Sequence, residues 1–151
     1  MFEIILTDEI VPETDPGVVA LYGKIYVGDF AETFITSLVS WNQKAYERHW
    51  ASALRRLLEG ASKSALITSY VEPGLADHLV WWPLYREGDT VYVQNHMLFY
   101  DQLGKPFSSG DPWRSVPQRR TVNPEGQRIS EWETDLSSIQ KCLSGWRPLT
   151  R

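Results

Sequence analysis

Residues 77–86 and 90–100 are two runs dense in large side chains on either side of Gly88-Asp89, and a two-residue turn of that kind fixes how the runs pair. With Glu87 and Thr90 flanking the turn, facing positions sum to 177, so Leu84 meets Val93, Trp82 meets Asn95 and Trp81 meets His96. Val80, Trp82, Leu84, Val91, Val93 and Met97 then share one face, and Trp81, Pro83, Tyr85, Tyr92 and His96 the other. A ribbon this heavy on both sides is covered by a second sheet and a helix, or it presents an aromatic surface to a partner. The frequency of large aromatics in cores favours the covered ribbon.

The rest of the chain supplies the covering elements. Residues 2–6 read as a short strand, and 8–17, with Pro12 and Pro16, as an irregular acidic connection. Alternation from Val19 to Val27, then Gly28-Asp29 and a run from Phe30 to Val39, predicts a hairpin. Asn42 caps a helix reaching Glu59, stopped by Gly60, with Tyr46, Trp50, Ala53, Leu54 and Leu57 on a stripe that belongs to the core. A strand over 64–71 and a turn at Glu72-Pro73-Gly74 follow. Residues 101–117 form a long exposed loop, 118–122 and 127–133 are strands about a turn at 123–126, and Asp135 caps a helix with Leu136, Ile139 and Leu143 on one face, ending near Gly145. The sum is an α+β fold, mostly antiparallel and β-sandwich-like, with two main helices outside.

At 151 residues and 42% hydrophobic, the chain is expected to be one domain over 1–151. Its longest stretches without Asp, Glu, Lys or Arg are 11 residues, against the ~18 of a membrane span. The start has no basic region ahead of an apolar run, and Cys142 is the single cysteine, so a cytoplasmic, reducing location is expected. Charge is lopsided. Residues 1–32 hold seven acids and only Lys24, which suits a basic partner, or simply a solvated arm, and suits nucleic acid poorly.

Catalytic signatures are missing. HExxH, Walker, GxGxxG and GxSxG patterns do not occur, and His49, His78 and His96 are scattered away from ligand spacing, so no metal or cofactor is expected. Ser138 to Lys141 matches SxxK without the companion motifs. Glu131 and Glu133 share one side of a strand, where a solvated face is the commoner reading than an acid–base pair. Aromatic strands near Arg114, Arg119, Arg120 and Arg128 leave single-stranded nucleic-acid binding as the alternative, against the acidic balance.

Trp41 with Tyr46 and Trp50, SALITSY at 64–70, VYVQN at 91–95 and ISEWETDLSS at 129–138 resemble the immunity-protein family of bacterial contact-dependent growth inhibition systems, in its Enterobacter cloacae branch, over about two thirds of the chain. The resemblance implies a β-sandwich-like domain similar in shape to Whirly single-strand binders. It also implies a non-enzymatic role, binding and neutralising the C-terminal nuclease toxin domain of a large secreted adhesin, a basic RNase in that branch. An inhibitor of such a surface needs carboxylates around aromatic anchors. Asp101, Asp111 and Trp113 of the long loop, with Glu131 and Glu133 of the neighbouring strand, are the expected toxin-binding residues. The plain alternative is a solvated loop beside a decorated strand edge.

Overall fold

The central hairpin forms in the expected register, Leu84 opposite Val93 and Trp81 opposite His96, in a computed structural model that describes residues 1–12 and 17–146. Strand β5 (His78–Glu87) turns through Gly88, whose φ of 63° lies in the left-handed region, into β6 (Thr90–Gln94). The second arm is not one strand. It stops at Gln94 and resumes as β7 (His96–Phe99), and Asn95, expected in the ladder opposite Trp82, turns its Nδ2 to Glu32 Oε2 at 3.2 Å. Pro83 explains the break. The bond from Tyr100 N–H to Asp77 C=O sets which pairs exchange hydrogen bonds, and counting back by twos places Pro83 opposite Gln94 where an N–H is required and proline has none.

β4 (Lys63–Ser69) joins β5 on its other side, and β8 (Glu131–Asp135) joins β6, giving the antiparallel order β4-β5-β6-β8 with β7 beside β5. A second sheet, β1 (Phe2–Ile10), β2 (Ala20–Val27) and β3 (Phe30–Ser37), lies against it. Phe30 stacks on Trp132 with centroids 3.9 Å apart and tilts against Trp82 at 6.4 Å. Gly23 leaves the space that the Phe34 ring fills, since a Cβ there would sit 2.3 Å from Phe34 Cε1. The ribbon is therefore covered on both faces over most of its length, with Met97 of β7 left exposed. Trp82, Leu84, Val91 and Val93 are buried on the face that meets the second sheet, while Trp81 and Tyr85 are buried on the far face, where Phe107 of the 101–117 loop approaches Trp81 at 6.5 Å.

Two expectations are corrected. The first strand runs to Ile10, past the expected end at residue 6, so Asp8 and Glu9 belong to a strand; a register irregularity between Leu6 and Ile10 absorbs them before Ile10 pairs with Leu21. Of the expected connection over 8–17, residues 13–16 lie outside the described ones. The strands expected over 118–122 and 127–133 reduce to a single bridge, Val122 to Arg128, with regular pairing only from Glu131. At the turn Asn123 Oδ1 accepts the N–H groups of Glu125 and Gln127, while Asn123 N–H donates to Gln127 C=O and Ile129 N–H to Thr121 C=O, so only this short stretch pairs.

Helix α1 (Gln43–Leu58) starts as expected, Asn42 Oδ1 accepting Ala45 N–H at 2.8 Å, and buries Tyr46, Trp50, Ala53, Leu54 and Leu57. It lies along β4. Trp50 Nε1 donates to Ile67 C=O at 2.8 Å, Ile67 N–H donates to His49 Nε2 at 2.8 Å, Arg56 Nε donates to Lys63 C=O, and Ser64 Oγ donates to Ala53 C=O. Helix α2 (Leu136–Gly145) is capped by Asp135, which accepts Ser138 N–H at 2.7 Å; Ile139 and Cys142 are buried, and Leu136 and Leu143 pack partly buried against the core.

Candidate protein-binding site

The pairing of β6 with β8 sets Glu131 beside Gln94 and Glu133 beside Tyr92, so both carboxylates leave the sheet on its outer face. Their fates differ. Arg119 lies over Tyr92, 3.7 Å from the ring centroid, and holds Glu131 with two N–H groups, Nε to Oε2 at 2.8 Å and Nη2 to Oε1. Its Nη1 reaches Glu87 at 3.1 Å, and Gln94 Nε2 adds a third bond to Glu131 at 2.8 Å. This fork keeps the Glu131 carboxyl below the ordinary carboxylate range, chiefly through the Arg119 hydrogen bonds, and raises Arg119 in turn. Burial first, then the charge of Glu131, pushes the nearby Tyr85 hydroxyl up to about 12. A carboxylate held ionised in this way is no proton reservoir near neutrality, so Glu131 is not placed to act as a general acid. Glu133 is exposed and has no ion-pair partner among the described residues.

The other three expected residues lie elsewhere. Asp101 sits in a single 3-10 turn, Tyr100–Gln102, next to Gln102 and Leu103, which help line a cleft of about 520 Å³ floored by Trp81, Tyr85 and His96. Asp111 precedes a second such turn, Pro112–Ser115, and pairs with Arg114. Trp113 lies under the Arg56 guanidinium of α1, 4.5 Å from centroid to carbon, on the β4 side. Glu131 on β8 and Trp113 beside α1 and β4 thus stand toward opposite edges of the four-strand path. The structure brings Glu131 and Glu133 together and spreads the other three along the loop segment.

Sequence reasoning missed Arg119, Tyr92 and Gln94 as one unit. Arg119 was visible only as part of a basic patch, because the pairing of β6 with β8 joins segments about 40 residues apart, beyond the reach of any turn rule. Among the described residues, no group of three or more His, Cys, Asp or Glu is placed to hold a metal ion, and no helix is long and apolar enough to cross a membrane. Cys142 is buried, which pushes its thiol up to about 11.

What the arrangement offers is charged and aromatic surface around a cleft, the chemistry of recognition more than of bond making. Comparison with known proteins gives the family. The chain is 34% identical over 115 residues to the protein named immunity protein CdiI of Enterobacter cloacae, covering 76% of this chain and 79% of that protein. It matches a chain of a solved structure described as a CdiA-CT/CdiI toxin and immunity complex from Enterobacter cloacae with a TM-score of 0.84 and 32% identity, over 95% of this chain and 97% of the other. The family described as the CdiI N-terminal domain matches residues 36–142. The chain belongs to the CdiI N-terminal domain family.

Proposed function

We propose that this chain is an immunity protein that binds the toxic C-terminal domain of a contact-dependent growth inhibition adhesin in the cytoplasm and neutralises it by steric and electrostatic occlusion, without catalysis of its own. The likeness to a chain of a toxin–immunity complex along 95% of the present chain carries this reading. Supporting it, the acidic balance of −4, concentrated in the first 32 residues, suits a toxin that is a basic nuclease, because a nuclease must present cationic surface to phosphate. Asp101, Asp111, Trp113, Glu131 and Glu133 are the candidate contacts, Glu131 being the one already paired with Arg119. A specific complex of this kind buries roughly 1,200–2,000 Å² in total.

The test is co-expression with the cognate toxin domain, scoring growth, followed by calorimetry on the purified pair. Rescue with stoichiometric, tight binding is the expected result, and alanine at the five positions together should weaken it. Persistent growth arrest despite good expression would sink the immunity reading, and single-stranded nucleic-acid binding with steep salt dependence would then take its place.

A further inference from the structure

Most of the exposed large apolar side chains gather at one end of the molecule. Among the described residues nine are exposed, and six of these, Ile10, Val18, Val19, Ile35, Val39 and Leu75, stand at that end. Hydrogen bonds place them there. Leu38 N–H donates to Val19 C=O, Val11 N–H to Ala20 C=O, and Tyr22 pairs with Ile35, which joins the end of β1, the start of β2 and the end of β3. Glu72 N–H then donates to Ser40 Oγ at 3.0 Å, and Tyr100 Oη donates to Val71 C=O at 2.6 Å, tying the loop that carries Leu75 to both Val39 and the turn of Asp101. Ile35 is 54% exposed, Val39 46% and Leu75 66%. Isolated exposed apolar residues are ordinary, but several on neighbouring segments at one end of a small protein make a candidate docking surface.

Carboxylates lie on the segments that carry this set or adjoin it. Asp8, Glu9, Glu72 and Asp101 are exposed and have no ion-pair partner among the described residues. The segment roofing the opposite sheet face differs in sign, with two acids against five bases over residues 102–130. A second copy of this chain is a poor occupant, since a symmetric contact would bring the acids of both copies together in a desolvated rim. A cationic protein surface with apolar side chains at its centre is the occupant that matches both features.

We infer that this acid-rimmed apolar end, centred on Ile35 and Val39, is where the cationic surface of the toxin domain docks, with Asp101 the one expected contact that belongs to it. This rests on the immunity reading and narrows it to one face. The apolar centre sets how long the complex lives, and the rim carboxylates set how fast it forms.

The experiment measures affinity and association rate of the full chain for the purified cognate toxin domain by calorimetry and stopped flow, with thermal melts of every variant. Ile35→Thr, which keeps a β-branched side chain in β3, and Val39→Asp change half-exposed side chains, so each should nearly keep its melting temperature while weakening toxin binding, the Val39 variant by about 100-fold. Joint Asp8→Asn, Glu9→Gln and Glu72→Gln should slow association by about tenfold at low salt, with the difference fading as salt rises. Val122→Asp, on the opposite loop and 49% exposed, serves as the control that leaves binding intact. Unchanged affinity in both apolar variants, or loss only in the Val122 variant, overturns the assignment while leaving immunity standing. Failure of the unaltered chain to bind at all removes both.

Discussion

His49 Nε2 accepts the main-chain N–H of Ile67 at 2.8 Å, which fixes the imidazole as neutral with its proton on Nδ1. Trp41 packs on the ring at 5.2 Å, and burial pushes its pKa down to about 3 from an ordinary 6.5. A histidine with a depressed folded pKa binds fewer protons folded than unfolded between those two values. The stability it supplies is complete above pH 6.5 and is lost as pH falls toward 3, by at most about 1.4 kcal/mol per unit. Urea titrations at pH 7 and pH 5 should show the loss, and the His49 ring resonances should stay those of a neutral imidazole down to pH 4. A ring that protonates near pH 6 would contradict the bond to Ile67.

Gly23 is required by Phe34. Gly23→Ala should cost about 2 kcal/mol, because the new methyl meets the Phe34 ring at 2.3 Å and the ring cannot retreat from its edge contact with Trp50 without disturbing the core. Adding Phe34→Leu should return part of the loss in urea midpoint, and failure of the pair to couple would count against this packing.

Arg119→Lys keeps a positive charge but gives up the two-pronged grip on Glu131 and the guanidinium contact over Tyr92. It should destabilise by about 1–2 kcal/mol at pH 7. Glu131 has a lowered folded pKa, so its contribution is present above the ordinary carboxylate range and fades as pH drops through its folded value. The difference between Arg119→Lys and the parent should accordingly narrow in acid, and a gap that is constant from pH 7 to pH 3 would show that stacking alone matters.

Asn42→Ala removes the acceptor for Ala45 N–H and should lower stability by about 1 kcal/mol, with Asn42→Gly losing much less. Equal losses in the two variants would mean the side-chain cap contributes little.

Where a rule acts over a few residues, the chain was readable. Gly88-Asp89 set the pairing of Leu84 with Val93, and Asn42 and Asp135 cap the helices they were expected to cap. The break at Asn95 was also within reach, since the same register that pairs Trp81 with His96 puts Pro83 opposite Gln94. Arg119 was not, because its partners come from β6 and β8, which only the order of the whole sheet brings together. The strand character of Asp8 and Glu9 was hidden for a related reason. Their charges argue for solvent, and an edge strand gives them solvent while its backbone still pairs with β2.

The placement of α1 along β4 has a bearing on how this protein behaves alone. An outer strand with free N–H and C=O groups is an invitation for another chain to extend the sheet, the first step of domain swapping and fibre growth. At Ile67 the indole of Trp50 and the imidazole of His49 take both groups, and Arg56 takes the carbonyl of Lys63. β4 thus offers no template at those positions, and a chain trying to extend the sheet from that side would have to displace α1 there.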